Sequence, residues 1–217
     1  MRAMTTGAFA SVLLAGLVLA GCGSDDGGGT TQATASPCAQ ASPPKPREVK
    51  LPPPKQTVRP GERLTAVVST TCGTFDIALD TRQAPKTTNS VAYLARKGFY
   101  DGLAFHRIVT GFVIQAGDPL GDGRGGPGYT VDEPPPRNLA YTKGVVAMGK
   151  SPIEPPGRSG SQFFVVLAAD AGLSPDYALV GRVSRGLDVV ERIGRLGTPS
   201  EQPKQTVLIK RVTIEGG

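Results

Sequence analysis

Short runs of alternating apolar and polar residues recur through residues 61–217, and turn-forming residues such as glycine and aspartate separate many of them. An alternation of period two is typical of a β-strand with one buried face. These runs predict eight strands: Leu64–Thr70, Thr74–Leu79, Ala104–Ile108, Phe112–Gln115, Val145–Met148, Gln162–Leu167, Ala178–Val183 and Val207–Ile214.

Two further segments have the spacing of helices. Ala84–Lys97 has Pro85 near its start and Gly98 directly after it, where helices favour these residues. Leu187–Arg195 places apolar side chains on one helical face. Residues 61–217 contain no internal repeat and have the size of one compact domain, which the pattern predicts to be mostly β.

Residues 1–22 have the features of a targeting segment. Arg2 is followed by an apolar run, Ala8–Leu19, that is too short to span a bilayer comfortably. Residues 19–22 read LAGC and resemble the lipobox of bacterial lipoproteins, in which the cysteine is acylated. The resemblance implies a lipid anchor at Cys22, so that the protein is held on the extracytoplasmic face of a cell membrane or in a periplasm. An ordinary signal peptide is the alternative.

Residues 23–60 differ sharply in composition from the rest of the chain. Gly27–Gly29 is typical of a flexible linker, whereas the prolines of residues 43–46 and 52–54 favour an extended conformation. Such a segment has too few apolar residues to offset the entropy of ordering it. We therefore predict a tether over residues 23–60 and a domain over residues 61–217.

The net charge and its distribution indicate what kind of partner to expect. The net charge is +6, but the basic residues are scattered without interleaved aromatic residues, so nucleic acid is not an expected partner. Attraction to anionic lipid headgroups is a more natural use of this charge.

If Cys22 is acylated, Cys38 and Cys72 are the two remaining thiols in an oxidising compartment, and we predict a disulfide between them, two free thiols being the alternative.

Two motifs carry the functional prediction. Residues 105–118 read FHRIVTGFVIQAGD and residues 160–166 read GSQFFVV. They resemble hallmark stretches of the cyclophilin family of peptidyl-prolyl cis-trans isomerases, F-H-R-x-x-x-G-F-x-x-Q-x-G-D and G-S-Q-F-F. The resemblance implies an all-β fold, a closed eight-stranded antiparallel barrel capped by two α-helices, and an isomerase without a cofactor. We expect no metal site, because no cluster of Cys, His or carboxylates has metal-ligand spacing. We also expect a monomer.

The chemistry of this family explains which residues matter. Rotation about an X–Pro bond has a barrier of about 18–20 kcal/mol because the twisted amide loses its resonance. A cation near the prolyl nitrogen can stabilise that twisted state, and Arg107 matches the family's catalytic arginine. The resemblance further implies substrate-binding residues, with an apolar proline pocket and groups that hold the peptide: Phe112, Gln115, Met148, Lys150, Phe164, Leu173 and Tyr177.

Several alternatives remain open. The apolar pocket residues could instead belong to the barrel core, and Arg107 could form a structural salt bridge. His106 neighbours Arg107 on a strand, where successive side chains face opposite ways, which favours a structural role. Residues 121–126 fit GxGxxG but lack the βαβ context of a dinucleotide site. Gly172 stands where the family has a tryptophan used in cyclosporin binding.

Two functions fit this pattern. One is an enzyme that isomerises proline-containing segments of exported proteins. The other is a binding module that grips such segments in one partner, with turnover incidental. Arg107 favours the enzyme, because a pure binder has no need of a donor at the prolyl nitrogen.

Overall fold

The computed structural model describes residues 38–216, so the predicted signal peptide and the predicted acylation of Cys22 lie outside the described residues. Ten strands and two helices occur in the described part of the chain. In chain order they are β1 (Leu64–Thr70), β2 (Gly73–Leu79), α1 (Pro85–Arg96), β3 (Arg107–Val109), β4 (Val113–Ala116), β5 (Val131–Asp132), β6 (Val145–Met148), β7 (Arg158–Ser159), β8 (Phe163–Val166), β9 (Leu179–Arg185), α2 (Leu187–Gly194) and β10 (Ile209–Gly216).

Eight strands of the described chain form one curled antiparallel sheet, in the order β10–β1–β2–β9–β6–β8–β4–β3. The prediction of an all-β fold with two helices is confirmed. The prediction of a closed barrel is wrong, because β10 and β3 end the ladder and do not pair, which leaves an open half-barrel. Strand β3 is only three residues long, and its free edge is taken by the loop before β10: the amide of Ile108 donates to the carbonyl of Glu201 over 2.8 Å.

The two faces of the sheet carry different side chains. Strands β4, β6 and β8 bury residues on both faces, since successive side chains point to opposite sides. The main core, on the inner face, is built from large buried side chains on several elements: Phe75, Leu94, Phe105, Ile108, Ile114, Met148, Phe163, Ile193 and Ile209. A smaller apolar cluster on the opposite face contains Val113, Tyr141, Ala147, Phe164 and Val166.

Helix α1 begins at a proline and is capped by a distant carboxylate. Pro85 stands at its start, where a missing N–H leaves no helical hydrogen bond unmade. No side chain at the N-cap position bonds the first turn. Instead, the Glu133 carboxylate accepts from the amides of Lys86 and Thr87 at 3.0 and 2.6 Å. A negative charge at this end also favours the helix dipole.

Residues 38–60, which we call the strap, lie against the domain and differ from the expectation of a free tether. A disulfide joins Cys38 to Cys72, the pair that the sequence predicts. The Arg47 guanidinium donates to the carbonyl of Phe99 over 2.8 Å, and Val58 is buried in the main core. Composition does not predict this packing, because the strap is bound to the domain by a disulfide, one buried valine and a few hydrogen bonds and not by an apolar face.

Candidate active site

Arg107 and Gln115 face one another across two paired strands. They are partners in the antiparallel register of β3 and β4, and Gln115 is in turn opposite Phe164 on β8. Cross-strand partners project from the same face, so these three side chains lie in one row. The Nη1 of Arg107 donates to Oε1 of Gln115 over 3.4 Å, and its Nε donates to Oε2 of Glu201 over 2.6 Å. The half-buried guanidinium is therefore held on two sides.

The polar row continues to Gln162, which the sequence reasoning missed. Its Oε1 accepts from Nε2 of Gln115 over 3.0 Å, and its own Nε2 donates to the carbonyls of Gly123 and Gly125 at 2.9 and 3.0 Å. The signal was present, because Gln162 is the central residue of the GSQFF motif. Gln162 thus connects the strand that carries Phe164 to the glycine-rich loop of residues 121–126, whose backbone carbonyls accept its hydrogen bonds.

An aromatic cluster forms the apolar part of the site. The rings of Phe164 and Tyr177 meet edge to face at 5.4 Å, and Tyr141 packs against Tyr177 in the same way at 5.9 Å. Phe112 and Leu173 pack against this cluster on the face of the sheet that carries Phe164. Edge-to-face contacts are a favoured geometry for aromatic pairs, and the partly buried Phe112, Leu173 and Tyr177 are among the members of the cluster nearest the surface.

Tyr141 ties this cluster to the backbone. Its hydroxyl donates to the carbonyl of Tyr177 over 2.6 Å and accepts from the amide of the same residue over 3.0 Å. Burial raises the pKa of Tyr141 to about 12, so the hydroxyl keeps its proton at neutral pH. Tyr141 was not among the predicted site residues, because no turn or motif marks it in the sequence.

Met148 does not line this pocket, which corrects its assignment from the sequence. It is the register partner of Phe163 and not of Phe164, and 1 % of its surface is exposed. It therefore points into the main core, on the opposite face of the sheet from the aromatic cluster. Val113 occupies the pocket side instead, two residues from Gln115 and within the cluster of Phe164. Strand pairing decides which face a side chain takes.

Lys150 lies at the edge of the groove. Its Nζ is 5.7 Å from the centre of the Tyr177 ring and donates to the carbonyl of Glu154 over 2.9 Å. The backbone beside it is fixed, since the amide of Gly149 donates to the carbonyl of Gln162 over 2.7 Å. The Lys150 side chain therefore makes its hydrogen bonds within its own loop.

His106 directly precedes Arg107, the first residue of β3. Both ring nitrogens are buried, and neither has a hydrogen-bond partner in the described part of the chain. Burial lowers the pKa of His106 below its usual value, while the nearby Asp118 acts in the opposite direction. A small cavity of about 300 Å³ beside it is lined by Pro43 and Pro44 of the strap. A neutral, enclosed imidazole agrees with a structural role.

A cleft of about 1360 Å³ extends from the site toward the strap. Gln115 and Gln162 line it, as do residues 47–50 of the strap. The described residues contain no group of three or more His, Cys, Asp or Glu that could hold a metal ion. Residues 38–216 also contain no helix that is long and apolar enough to cross a membrane.

Gly172 lies on the exposed loop before Leu173. Its φ is +62°, in the left-handed region, and a Cβ placed there would meet no atom within 4 Å. Its amide donates to Oδ1 of Asp170 over 2.9 Å, which fixes the turn. The sequence contains no tryptophan, so the aromatic cluster has no indole beside it.

Comparisons with known proteins agree with this geometry. The family model for cyclophilin type peptidyl-prolyl cis-trans isomerases matches residues 65–214. Peptidyl-prolyl cis-trans isomerase-like 1 of Neurospora crassa is 41 % identical over 152 residues, covering 68 % of this chain and 91 % of that protein. An isomerase of Arabidopsis thaliana, CYP18-2, is 34 % identical over 152 residues, with 68 % and 91 % covered.

A solved structure extends the likeness to the fold. The cyclophilin type isomerase of Cryptosporidium parvum, crystallised in the presence of the dipeptide Ala-Pro, superposes with a TM-score of 0.65 at 27 % identity. The match covers 70 % of this chain and 99 % of the other. These relatives are eukaryotic and the family match begins after the lipobox, so none of them supports a bacterial lipoprotein form. With the match over residues 65–214 and the paired Arg107 and Gln115 beside an aromatic pocket, the chain belongs to the cyclophilin-type peptidyl-prolyl cis-trans isomerases, enzymes that need no cofactor.

Proposed function

We propose that this isomerase acts on X–Pro bonds of exported proteins at the extracytoplasmic face of a membrane, with Arg107 as its catalytic residue. The observation that carries the proposal is the row formed by Arg107, Gln115 and Phe164 on three adjacent strands. It sets a fixed cation and an amide beside an apolar surface, which are the groups that a twisting prolyl amide requires.

The proposed mechanism has no covalent step. The proline ring packs on the cluster of Phe112, Phe164 and Leu173, and the Gln115 amide holds the peptide on the side of the residue before proline. As the C–N bond twists, the prolyl nitrogen becomes pyramidal, and its electron pair is no longer delocalised into the carbonyl but localised on nitrogen. An N–H of Arg107 then donates to that nitrogen, an interaction that the planar ground state does not offer. The arginine therefore lowers the barrier and does not merely tighten binding.

A protease-coupled assay of an X–Pro tetrapeptide tests this role. Arg107→Ala should lower kcat/KM by roughly 10²–10³, as expected for the loss of one preorganised donor in the transition state. Arg107→Lys should be intermediate, because an ammonium keeps the charge but not the planar fork. The matched control is Arg182→Ala, since Arg182 donates to the carbonyl of Lys143, outside the row, and should leave kcat/KM unchanged.

The same assay separates the enzyme from a binding module. If the protein only grips its partner, Arg107→Ala will turn over substrate at the rate of the original protein, and the catalytic role is refuted. Titration of the same peptide by NMR should show that Arg107→Ala still binds it, because the apolar cluster is intact in that variant. A loss of turnover with retained binding supports the enzyme.

The location rests on residues before the described part of the chain. We propose that Cys22 is acylated and anchors the protein, which then works as a monomer on segments emerging from export. Mass spectrometry of the N-terminal peptide should find an acylated cysteine, and Cys22→Ser should move the protein out of the membrane fraction. An unmodified Cys22, or a membrane fraction that Cys22→Ser does not change, would refute the anchor. Light scattering after gel filtration checks the monomer.

A further inference from the structure

The loop between α2 and β10 holds a residue in an unusual backbone conformation. Glu201 has a φ of +64° and is the one residue other than glycine with a positive φ in residues 38–216. A side chain is disfavoured in this left-handed region, and residues held there often belong to functional sites. Neither the motif match nor the sequence pattern points to Glu201.

The backbone of Glu201 is clamped against the strand that carries Arg107. Its carbonyl accepts from the amide of Ile108 over 2.8 Å, and its own amide donates to the carbonyl of Thr198 over 2.9 Å. Gly197 allows this close approach, because a Cβ there would lie 2.7 Å from the carbonyl oxygen of Ile108. The loop is therefore fixed relative to β3, one residue from Arg107.

The side chain of Glu201 determines how the guanidinium is oriented. Arg107 donates through Nε to Oε2 of Glu201 over 2.6 Å and through Nη1 to Oε1 of Gln115 over 3.4 Å. Within residues 38–216 its Nη2 makes no hydrogen bond. A guanidinium is planar, so fixing one donor by a short ion pair and a second by Gln115 sets the direction of the remaining N–H groups.

Stability alone does not account for this pair. The side chains of Arg107 and Glu201 are 35 % and 47 % exposed, and ion pairs at such positions contribute little to folding. Holding Glu201 in the left-handed conformation costs free energy, which an ion pair of such small stabilising effect would not offset. We infer that Glu201 is a positioning residue for Arg107, which fixes the guanidinium with its free N–H groups directed into the groove. This inference rests on the proposed catalytic role of Arg107.

The test is a double-mutant cycle in the full chain. Glu201→Gln keeps the size of the side chain but removes the charge that holds Nε, and it should lower kcat by about 3- to 30-fold with KM little changed. Glu201→Asp should restore part of the loss. In an Arg107→Ala background, Glu201→Gln should have no further effect, because no guanidinium remains to be oriented.

Two controls guard the interpretation. Glu191→Gln removes an ion pair of similar exposure, with Lys143 at 3.0 Å, and should leave kcat unchanged. Glu201→Gly relaxes the left-handed backbone, so it should fold well and still lose the same activity. The Nε–H signal of Arg107 in an NMR spectrum should move in Glu201→Gln and stay in place in Glu191→Gln, which checks that the first substitution acts on the guanidinium; the fall in kcat at little-changed KM, absent in the Arg107→Ala background, then separates positioning from a merely structural ion pair.

The outcomes separate the inference from the proposed function. If Arg107→Ala lowers kcat and both Glu201→Gln and Glu201→Gly match the original protein, the positioning role alone is overturned. If Glu201→Gln lowers kcat equally with and without Arg107, Glu201 acts through the fold and the inference is again overturned. If Arg107→Ala has no effect, the proposed function and the inference fall together.

Discussion

Breaking the disulfide between Cys38 and Cys72 should destabilise the domain by an amount that can be worked from its position. The two cysteines are 34 residues apart. On the chain-entropy model, closing a loop of that length restricts the unfolded chain by about 3.8 kcal/mol at 25 °C. For a domain of this size, that corresponds to a fall in Tm of about 8–15 °C.

Urea unfolding of the oxidised and reduced protein measures this difference without a substitution. The pair Cys38→Ala and Cys72→Ala should lose about 1 kcal/mol more than the reduced protein, because Cys72 is buried and its removal leaves a small cavity. Neither thiol should be alkylated in the folded, unreduced protein. A difference below about 1 kcal/mol between the oxidised and reduced forms would refute the entropic reasoning.

Three more changes test other parts of the site. Gly172→Trp should tighten cyclosporin binding by roughly tenfold, since an indole contact worth about 2–4 kcal/mol is opposed by about 1–2 kcal/mol of left-handed strain and the difference centres near about 1.5 kcal/mol. Tight binding by the original protein would contradict this. Lowering the pH from 7.5 to 5.5 should reduce the free energy of unfolding: burial depresses the pKa of His106 in the folded state below 6.5, so the unfolded chain takes up a proton first. His106→Gln should flatten this slope in urea titrations, and an unchanged slope would exclude His106 as its source. Phe164→Leu should raise KM about 5- to 10-fold through the loss of an aromatic contact, whereas Met148→Leu should leave KM unchanged; equal effects on KM would return Met148 to the pocket.

Period-two patterning predicted the main strands well because burial on one face leaves a direct trace in the sequence. Strand β1 spans Leu64–Thr70 as predicted, and α1 lies within one residue of the predicted Ala84–Lys97 at each end. Barrel closure left no such trace, since it depends on the loop that occupies the free edge of β3. The ribbon of Val131–Asp132 with Arg158–Ser159 was missed because two-residue strands are too short to show a period.

The motifs predicted the polar row better than the pocket. Arg107 and Gln115 alternate with core residues on short strands, so their shared face follows from sequence. Met148 was misplaced because a strand buried on both faces shows no alternation, and only the pairing with Phe163 reveals its side. Glu201 lies 94 residues from Arg107, in a loop whose conformation has no sequence signature.

The strap lies outside the part of the chain that matches the family, yet it is bound to the domain through a disulfide and several contacts. The family match begins at residue 65, yet residues 38–60 contribute a disulfide partner, a buried valine and several hydrogen bonds. A fragment cut at the predicted domain boundary, residue 61, would leave Cys72 without its partner and open the cavity beside His106 to solvent. Domain exchanges between this protein and other cyclophilins therefore need a crossover point ahead of Cys38.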